Sequence, residues 1–188
     1  MKAMKKTYLG IFLVGILLVG AVGVGAATPD NVKITFDLQR IAIKASNQYA
    51  AWIEDGNGRY VATIAATEFT ARKGYIKRPE SLSDWIKVSN WANSSEEVVD
   101  AVSMATPGTG PVVLEWDGKD SSGKIVPPGT YTYKLEGTIF WDKRVVWSGK
   151  ITTGDKPSSS VATAEYYPSK DTATEKGLLI TNVKASYR

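Results

Sequence analysis

The chain lacks two residue types that much protein chemistry requires, because its 188 residues include no cysteine and no histidine. Without cysteine there is no disulfide, thiol nucleophile, iron–sulfur cluster or cysteine-type zinc site. Without histidine there is no Ser-His-Asp triad, and most copper, zinc and haem ligation is excluded. We therefore predict no catalytic residues and no metal centre. A hydrolase that uses Asp or Glu stays chemically open, although no particular carboxylate pair supports it.

The chain also has little net charge once its first segment is set aside. Three of the 23 Lys and Arg residues, and none of the 19 acidic residues, lie in the first 27 positions. The remainder carries 20 basic and 19 acidic side chains. Nucleic-acid-binding domains are usually strongly basic, so we expect no nucleic-acid partner.

The first segment has the three-part layout of an export signal. The positive start Met1–Lys6 precedes an apolar run, Leu9–Val24, which ends in small residues. This layout predicts a signal peptide over residues 1–27, with cleavage near Ala26 or Ala27. An uncleaved membrane anchor is the alternative, because the run is near the lower length limit for a spanning helix. We therefore predict a periplasmic or extracellular protein, with no membrane span in the mature chain.

The rest of the chain, residues 28–188, is predicted to be one β-rich domain. In Asn31–Gln39 apolar and polar side chains alternate, which is typical of a strand buried on one side. Turns rich in Gly, Asn and Pro separate further apolar segments. These segments predict strands over Tyr49–Glu54, Tyr60–Ala66, Pro111–Trp116, Thr130–Trp141, Arg144–Thr152, Val161–Tyr167 and Leu178–Tyr187. The pattern indicates an all-β fold, an antiparallel β-sandwich.

A short helical insert interrupts the strands. Apolar residues recur at helical spacing over Ser81–Asn93, and Ser81 with Asp84 resembles a capping box. Ser94 with Glu97 predicts the start of a second helical turn.

Six tryptophans raise the alternative of a sugar-binding platform. The strand and helix patterns place Trp52, Trp85, Trp116 and Trp141 on inward faces, and Trp91 has the weakest core assignment. Aromatic side chains dominate sandwich cores, so we interpret these tryptophans as core residues.

The acidic turn Trp116–Gly123 raises the alternative of a calcium site. Lys119 sits between Asp117 and Asp120, and the spacing is not that of an EF-hand. We interpret the segment as a hairpin turn in which Asp and Ser side chains bind nearby backbone amides.

The segment Asp100–Thr106 reads Asp-Ala-Val-Ser-Met-Ala-Thr. It resembles the flavinylation motif Asp-x-x-Ser/Thr-Gly-Ala-Thr of exported FMN-binding domains. In those proteins a flavin transferase joins FMN to the final Thr through a phosphoester bond. The resemblance implies that Thr106 is the attachment residue, and that Asp100, Ser103 and Ala105 match the other motif positions.

One position departs from that motif, because Met104 stands where the motif has glycine. Glycine permits close backbone approach or a positive φ, and methionine hinders both. The alternative interpretation is a helix end without a cofactor, closed by Thr106-Pro107-Gly108.

The order of motifs along the chain resembles the exported family called domain of unknown function 2271, from about Val32 to Tyr187. The resemblance is carried by Ala-Ala-Trp-Ile-Glu-Asp at 50–55, the motif at 100–106, Trp-Asp-Gly-Lys-Asp at 116–120 and Pro-Gly-Thr-Tyr at 128–131. The last two are also similar to the immunoglobulin-like domains of flagellar-hook capping proteins. The resemblance implies an immunoglobulin-like sandwich linked to flavin and electron-transfer systems of the cell envelope.

Two functions follow as expectations. The first is an envelope protein with covalent FMN, with a flavin transferase and envelope redox proteins as partners. It would be an electron carrier rather than a turnover enzyme. The second is a cofactor-free binding or structural module of the periplasm or cell exterior.

Overall fold

The computed structural model describes residues 31–44 and 47–188, so the predicted signal peptide lies outside the described residues. The strands are β1 (Val32–Leu38), β2 (Gln48–Glu54), β3 (Tyr60–Thr67), β4 (Ser103–Met104), β5 (Gly110–Trp116), β6 (Thr130–Phe140), β7 (Lys143–Thr152), β8 (Ser158–Val161), β9 (Thr163–Tyr167) and β10 (Ile180–Tyr187). The helices are α1 (Tyr75–Lys77), α2 (Ser83–Val88), α3 (Glu96–Val102) and α4 (Lys170–Ala173). Two further helical turns, not of the α type, cover Thr70–Gly74 and Trp91–Asn93.

Two sheets pack face to face around an apolar core. The first has the strand order β5-β1-β10-β8, and the second has the order β4-β3-β2-β6-β7-β9. Neighbouring strands are antiparallel except for the pair β3 and β4. Alternate residues of β1 and β5 point into the core, as their sequence pattern predicts. The all-β sandwich with a short helical insert is confirmed.

One predicted strand, Val161–Tyr167, is wrong because it is two strands of different sheets. β8 pairs with β10 in the first sheet, and β9 pairs with β7 in the second. The chain crosses between the sheets at Ala162, which is buried in the core. The apolar pattern continues through the crossing because the inner faces of both sheets contact the same core.

The predicted core position of Trp141 is also wrong. Trp141 lies in the tight connection between β6 and β7 with a φ of 51°, and it is 49% exposed. A register shift between Thr138 and Phe140 ends the inward alternation just before it. The other three predicted core tryptophans are buried.

Trp91, which has the weakest sequence assignment, is buried. It is 2% exposed, and its ring centroid lies 4.5 Å from that of Trp85. Its indole Nε1 donates a hydrogen bond of 3.0 Å to the Ala71 carbonyl. This indole therefore belongs to the packing of the helical insert.

The insert, residues 68–102, covers the outer face of the second sheet. Every residue of β2 is buried, because the inter-sheet core covers one face and the insert covers the other. The insert and the sheet share a second apolar cluster of Ala50, Trp52, Ala66, Ala71, Leu82, Trp85 and Trp91. Because this extra layer covers the outer face of the sheet, β2 does not need to alternate between buried and exposed residues.

The capping box predicted from Ser81 and Asp84 is wrong. The N-cap of α2 is Leu82, which makes no side-chain cap bond. Glu136 on β6 caps the helix instead. Its carboxylate accepts hydrogen bonds from the backbone N–H of Trp85 at 2.9 Å and of Asp84 at 3.4 Å. A residue distant in sequence therefore satisfies the free amides of this helix start.

The second helical turn begins one residue later than predicted. The N-cap of α3 is Ser95, not Ser94, and its hydroxyl accepts from the backbone N–H of Val98 at 3.3 Å. Both positions are serine, so the residue type alone does not separate them.

Glu136 is a buried carboxylate between the sheet and the insert. Its side chain is fully buried, and the Arg144 Nε lies 3.5 Å from its Oε1. Burial raises the pKa of Glu136 from 4.5 to about 7, with the charge of Asp84 adding to the effect. The amide hydrogen bonds and Arg144 oppose that rise without cancelling it.

This burial predicts that the protein is more stable at pH 5 than at pH 8. Because the pKa is higher in the folded state, the stabilisation is complete below about 4.5 and is lost as the pH rises through 7. We expect a loss of about 2 kcal/mol in the free energy of unfolding between these pH values, measured by urea denaturation. No imidazole titrates in this interval, because the chain has no histidine.

The variant Glu136→Gln should flatten this dependence, because its amide oxygen still accepts hydrogen bonds but does not titrate. Glu115→Gln, on the exposed side of β5, is the matched control and should keep the wild-type slope. Equal slopes in the two variants would assign the titration to another group.

Candidate functional site

The candidate motif follows a helix, a strand and a loop in turn. Asp100 lies in the last turn of α3 and is exposed, and Ser103 and Met104 form β4. Ala105 and Thr106 lie in the irregular connection between β4 and β5. Because β4 belongs to the second sheet and β5 to the first, this connection crosses one end of the sandwich.

The insert leaves the second sheet and returns to it at the same place. β4 pairs in parallel with the end of β3, with Ala66 beside Ser103 and Thr67 beside Met104. Parallel neighbours require a crossover connection, and the insert is that crossover. The chain segments that follow β3 and β4 therefore start side by side at one end of the sheet.

Met104 has an ordinary extended backbone. It lies in β4, and it is not among the described residues with a positive φ. Its side chain packs against the inter-sheet core, and the Tyr49 hydroxyl donates to its Sδ at 3.4 Å. Burial raises the pKa of Tyr49 to about 12, so this hydroxyl stays a neutral donor. The backbone conformation at this position does not require glycine.

Asp100 is tied to the start of the insert through Arg72. The Arg72 Nη2 lies 2.7 Å from Asp100 Oδ1, and its Nε lies 3.3 Å from Glu68 Oε1. The hydrogen bond with Asp100 raises the pKa of Arg72 above its usual value. This cation therefore links the motif to the segment that follows β3.

The two hydroxyl groups of the motif, on Ser103 and Thr106, make no hydrogen bond within the described residues. Thr106 is half-buried, and no hydrogen bond within the described residues engages its Oγ1. Ser103 Oγ is buried and has no hydrogen-bond partner there. By contrast, Thr109 Oγ1 accepts from the backbone N–H of Arg40 at 3.0 Å. A buried hydroxyl without a partner is uncommon and indicates a position that a bound group could satisfy.

The acidic turn after β5 is a hydrogen-bonded hairpin turn, as predicted. Asp120 Oδ1 accepts from the backbone N–H groups of Ser122 and Lys124 at 2.9 and 3.0 Å. Asp117 Oδ1 accepts from the N–H of Lys119 at 3.1 Å. The hydrogen bonds from Ser122, and then from Lys124, lower the pKa of Asp120. These oxygens stabilise the turn itself.

The sequence interpretation missed the segment Glu68–Arg78, which lies beside the motif. Phe69 is 37% exposed, and the Arg78 guanidinium carbon lies 4.5 Å from the centroid of its ring. Gly74 packs directly against Phe69, so a Cβ there would overlap the Phe69 carbonyl. The concentration of Lys and Arg over residues 72–78, in a nearly neutral domain, is the sequence signal that could have identified it.

A model of the family described as predicted periplasmic proteins (DUF2271) matches residues 30–169. The match covers most of the chain, so the chain belongs to this family. This family assignment confirms the predicted periplasmic location. No curated protein and no solved structure matches the chain. None of the helices within residues 31–44 and 47–188 has the length and apolarity needed to cross a membrane.

The contact between Gly74 and Phe69 predicts that Gly74→Ala destabilises the protein. The added methyl group must displace the Phe69 backbone or ring, at a cost of about 1–3 kcal/mol. Urea denaturation measures this cost, and hydrogen exchange should show faster exchange in the segment 68–78.

Gly108→Ala is the matched control in the motif connection, since a Cβ there meets nothing within 4 Å. It should be close to neutral. If the two variants unfold at the same urea concentration, Gly74 does not hold the ring in place.

Proposed function

We propose that this member of the DUF2271 family is an exported envelope protein that carries FMN on Thr106 and passes electrons to redox partners of the cell envelope. The observation that best supports this proposal is the position of Thr106, which is half-buried on a connection at one end of the sandwich and whose hydroxyl makes no hydrogen bond within the described residues. A covalent tether prevents the loss of a soluble cofactor outside the cytoplasm. FMN would supply the redox chemistry that a chain without cysteine or histidine lacks.

The residues around Thr106 fit a phosphoester at that position. Thr106 Oγ1 loses its proton and becomes the bridging oxygen to phosphorus, with the net loss of one water between Thr106 and FMN. A flavin transferase would take the FMN unit from a dinucleotide donor. The bond between the FMN phosphorus and the bridging oxygen of the donor's pyrophosphate breaks, and the second mononucleotide leaves with that oxygen and the proton from Thr106. Ser103 Oγ is a buried hydroxyl with an unused donor within the described residues.

Asp100 and Met104 hold the connection that carries Thr106. Arg72 fixes Asp100 against the start of the insert, and Tyr49 and the core fix Met104. The extended backbone at Met104 accepts a side chain, so its departure from the flavinylation motif introduces no backbone strain.

A cofactor-free binding module is the second candidate, and one surface favours it. A groove of about 560 Å³ lies on the outer face of the first sheet. Exposed Val113 and Val161 line it together with Asp37, Asn182 and Lys184. A mixed apolar and charged groove of this kind suits a small ligand or peptide.

The proposal predicts covalent flavin on the secreted protein. Wild-type protein produced together with a flavin transferase should gain the mass of FMN less one water, measured by intact-mass spectrometry. Thr106→Ala should lose the whole gain, because no other oxygen occupies that position. Thr106→Ser should keep it, because a hydroxyl remains.

Thr109→Ala is the control for a nearby threonine and should be modified as fully as the wild type. An established flavin-carrying domain in the same cells shows that the transferase is active. If that domain is modified and the wild-type protein is not, the flavin proposal is overturned and the binding module remains.

A further inference from the structure

One row of neighbouring side chains crosses the groove on the outer face of the first sheet. The strand registers place four residues side by side, in the order Val113, Thr35, Lys184 and Val161. Neighbouring strands are about 4.8 Å apart, so this row is about 14 Å long. Val113 and Val161 are 58% and 76% exposed. The groove therefore has an exposed apolar side chain on each side and polar side chains between them.

A β-bulge places an amide beside a carboxylate in the groove. The register of β1 and β10 shifts by one residue between the pairs Thr35–Lys184 and Asp37–Thr181. Asn182 lies in this bulge with a φ of 56°, a conformation that asparagine adopts more readily than most residues. Its Nδ2 donates to Asp37 Oδ2 at 2.6 Å. This hydrogen bond fixes the position of the Asp37 carboxylate.

The groove also holds an acidic and a basic side chain that are not paired with each other. Within the described part of the chain, no salt bridge engages Asp37 or Lys184. By contrast, Lys33 and Glu115 of the same face are joined at 3.2 Å. Diagonal neighbours on adjacent strands are about 7–8 Å apart, so the two groove charges have about that separation. A ligand with one cation and one anion at a similar spacing is complementary to them.

A dipeptide in its zwitterionic form has this spacing. An extended chain rises at most about 3.6 Å per residue, so the terminal charges of a dipeptide are up to about 7 Å apart. In a free amino acid one residue separates these charges, and in a tetrapeptide they can be about 14 Å apart. Successive side chains of an extended peptide point to opposite sides, so one can reach Val113 and the other Val161.

We infer that this groove binds short apolar peptides, with two residues as the best length, through their charged termini. Asp37, held by Asn182, accepts hydrogen bonds from the terminal ammonium group of the peptide. Lys184 donates to its terminal carboxylate, and the two valines contact its side chains. This site goes beyond flavin attachment, and one protein can have both.

The test uses the secreted protein, produced without a flavin transferase, and the dipeptide Leu-Leu. In an NMR titration the methyl signals of Val113 and Val161 should shift with one common dissociation constant. The methyl signals of Ile125, which is exposed outside the groove, should not move. Acetyl-Leu-Leu lacks the ammonium charge and Leu-Leu amide lacks the carboxylate charge. Each should bind about three- to tenfold more weakly than Leu-Leu.

Asp37→Asn removes the charge but keeps an oxygen for the hydrogen bond from Asn182. It should weaken Leu-Leu binding by about three- to tenfold and leave acetyl-Leu-Leu binding unchanged, because that ligand has no ammonium group. Lys184→Gln should show the same relation with Leu-Leu amide. Lys33→Gln is the matched control, since this exposed lysine of the same face pairs with Glu115, and it should bind as the wild type does. Thermal unfolding of each variant shows that it is folded.

Three outcomes would count against the inference. If millimolar Leu-Leu leaves the methyl signals of Val113 and Val161 unmoved, the groove is not a peptide site. Equal affinity for Leu-Leu and its two blocked forms rejects recognition through the charged termini. If free leucine or tetraleucine binds as tightly as Leu-Leu, the preferred length is wrong. Flavin attachment is measured separately by intact mass, so none of these results decides it.

Discussion

The carboxylate of Glu136, which receives the first amides of α2 on the outer face of the second sheet, is the interaction on which the helical layer depends. That face carries Ala50, Trp52 and Ala66, which would be exposed without a cover. The helix amides and Arg144 compensate the charge of this buried carboxyl only in part, so burial still raises its pKa. The same contact therefore buries an apolar face and fixes the direction of the insert.

The insert in turn decides where the motif lies. It leaves the sheet after β3 and returns as β4 in parallel with it, so Asp100 and Thr106 come to the end of the sandwich where the insert began. The salt bridge between Arg72 and Asp100 joins the start of the insert to its last helix. The two sheets supply a rigid support, and the chemistry proposed here is confined to connections at one end. This division between scaffold and site is common in β-sandwiches.

Sequence reasoning located the motif but not its surroundings. Asp100, Ser103, Ala105 and Thr106 are found by their spacing along a short segment. Arg72 comes near that segment only through the pairing of β3 and β4, and no local spacing encodes this pairing. The same limit explains the cap of α2, where the local pattern favoured Ser81 and Asp84. Glu136 lies far along the chain but next to the helix in space.

Most strands could be determined from the sequence alone, and so could the inward faces of those that alternate, because alternation follows directly from the two-residue period of a strand. β1 and β5 show this most clearly. Only the tertiary structure decided the split of residues 161–167 between two sheets, the exposure of Trp141 and the burial of Trp91. Local periodicity reports which side of a segment is apolar. Which surface covers that side depends on contacts between distant residues, and those are set only when the whole core packs.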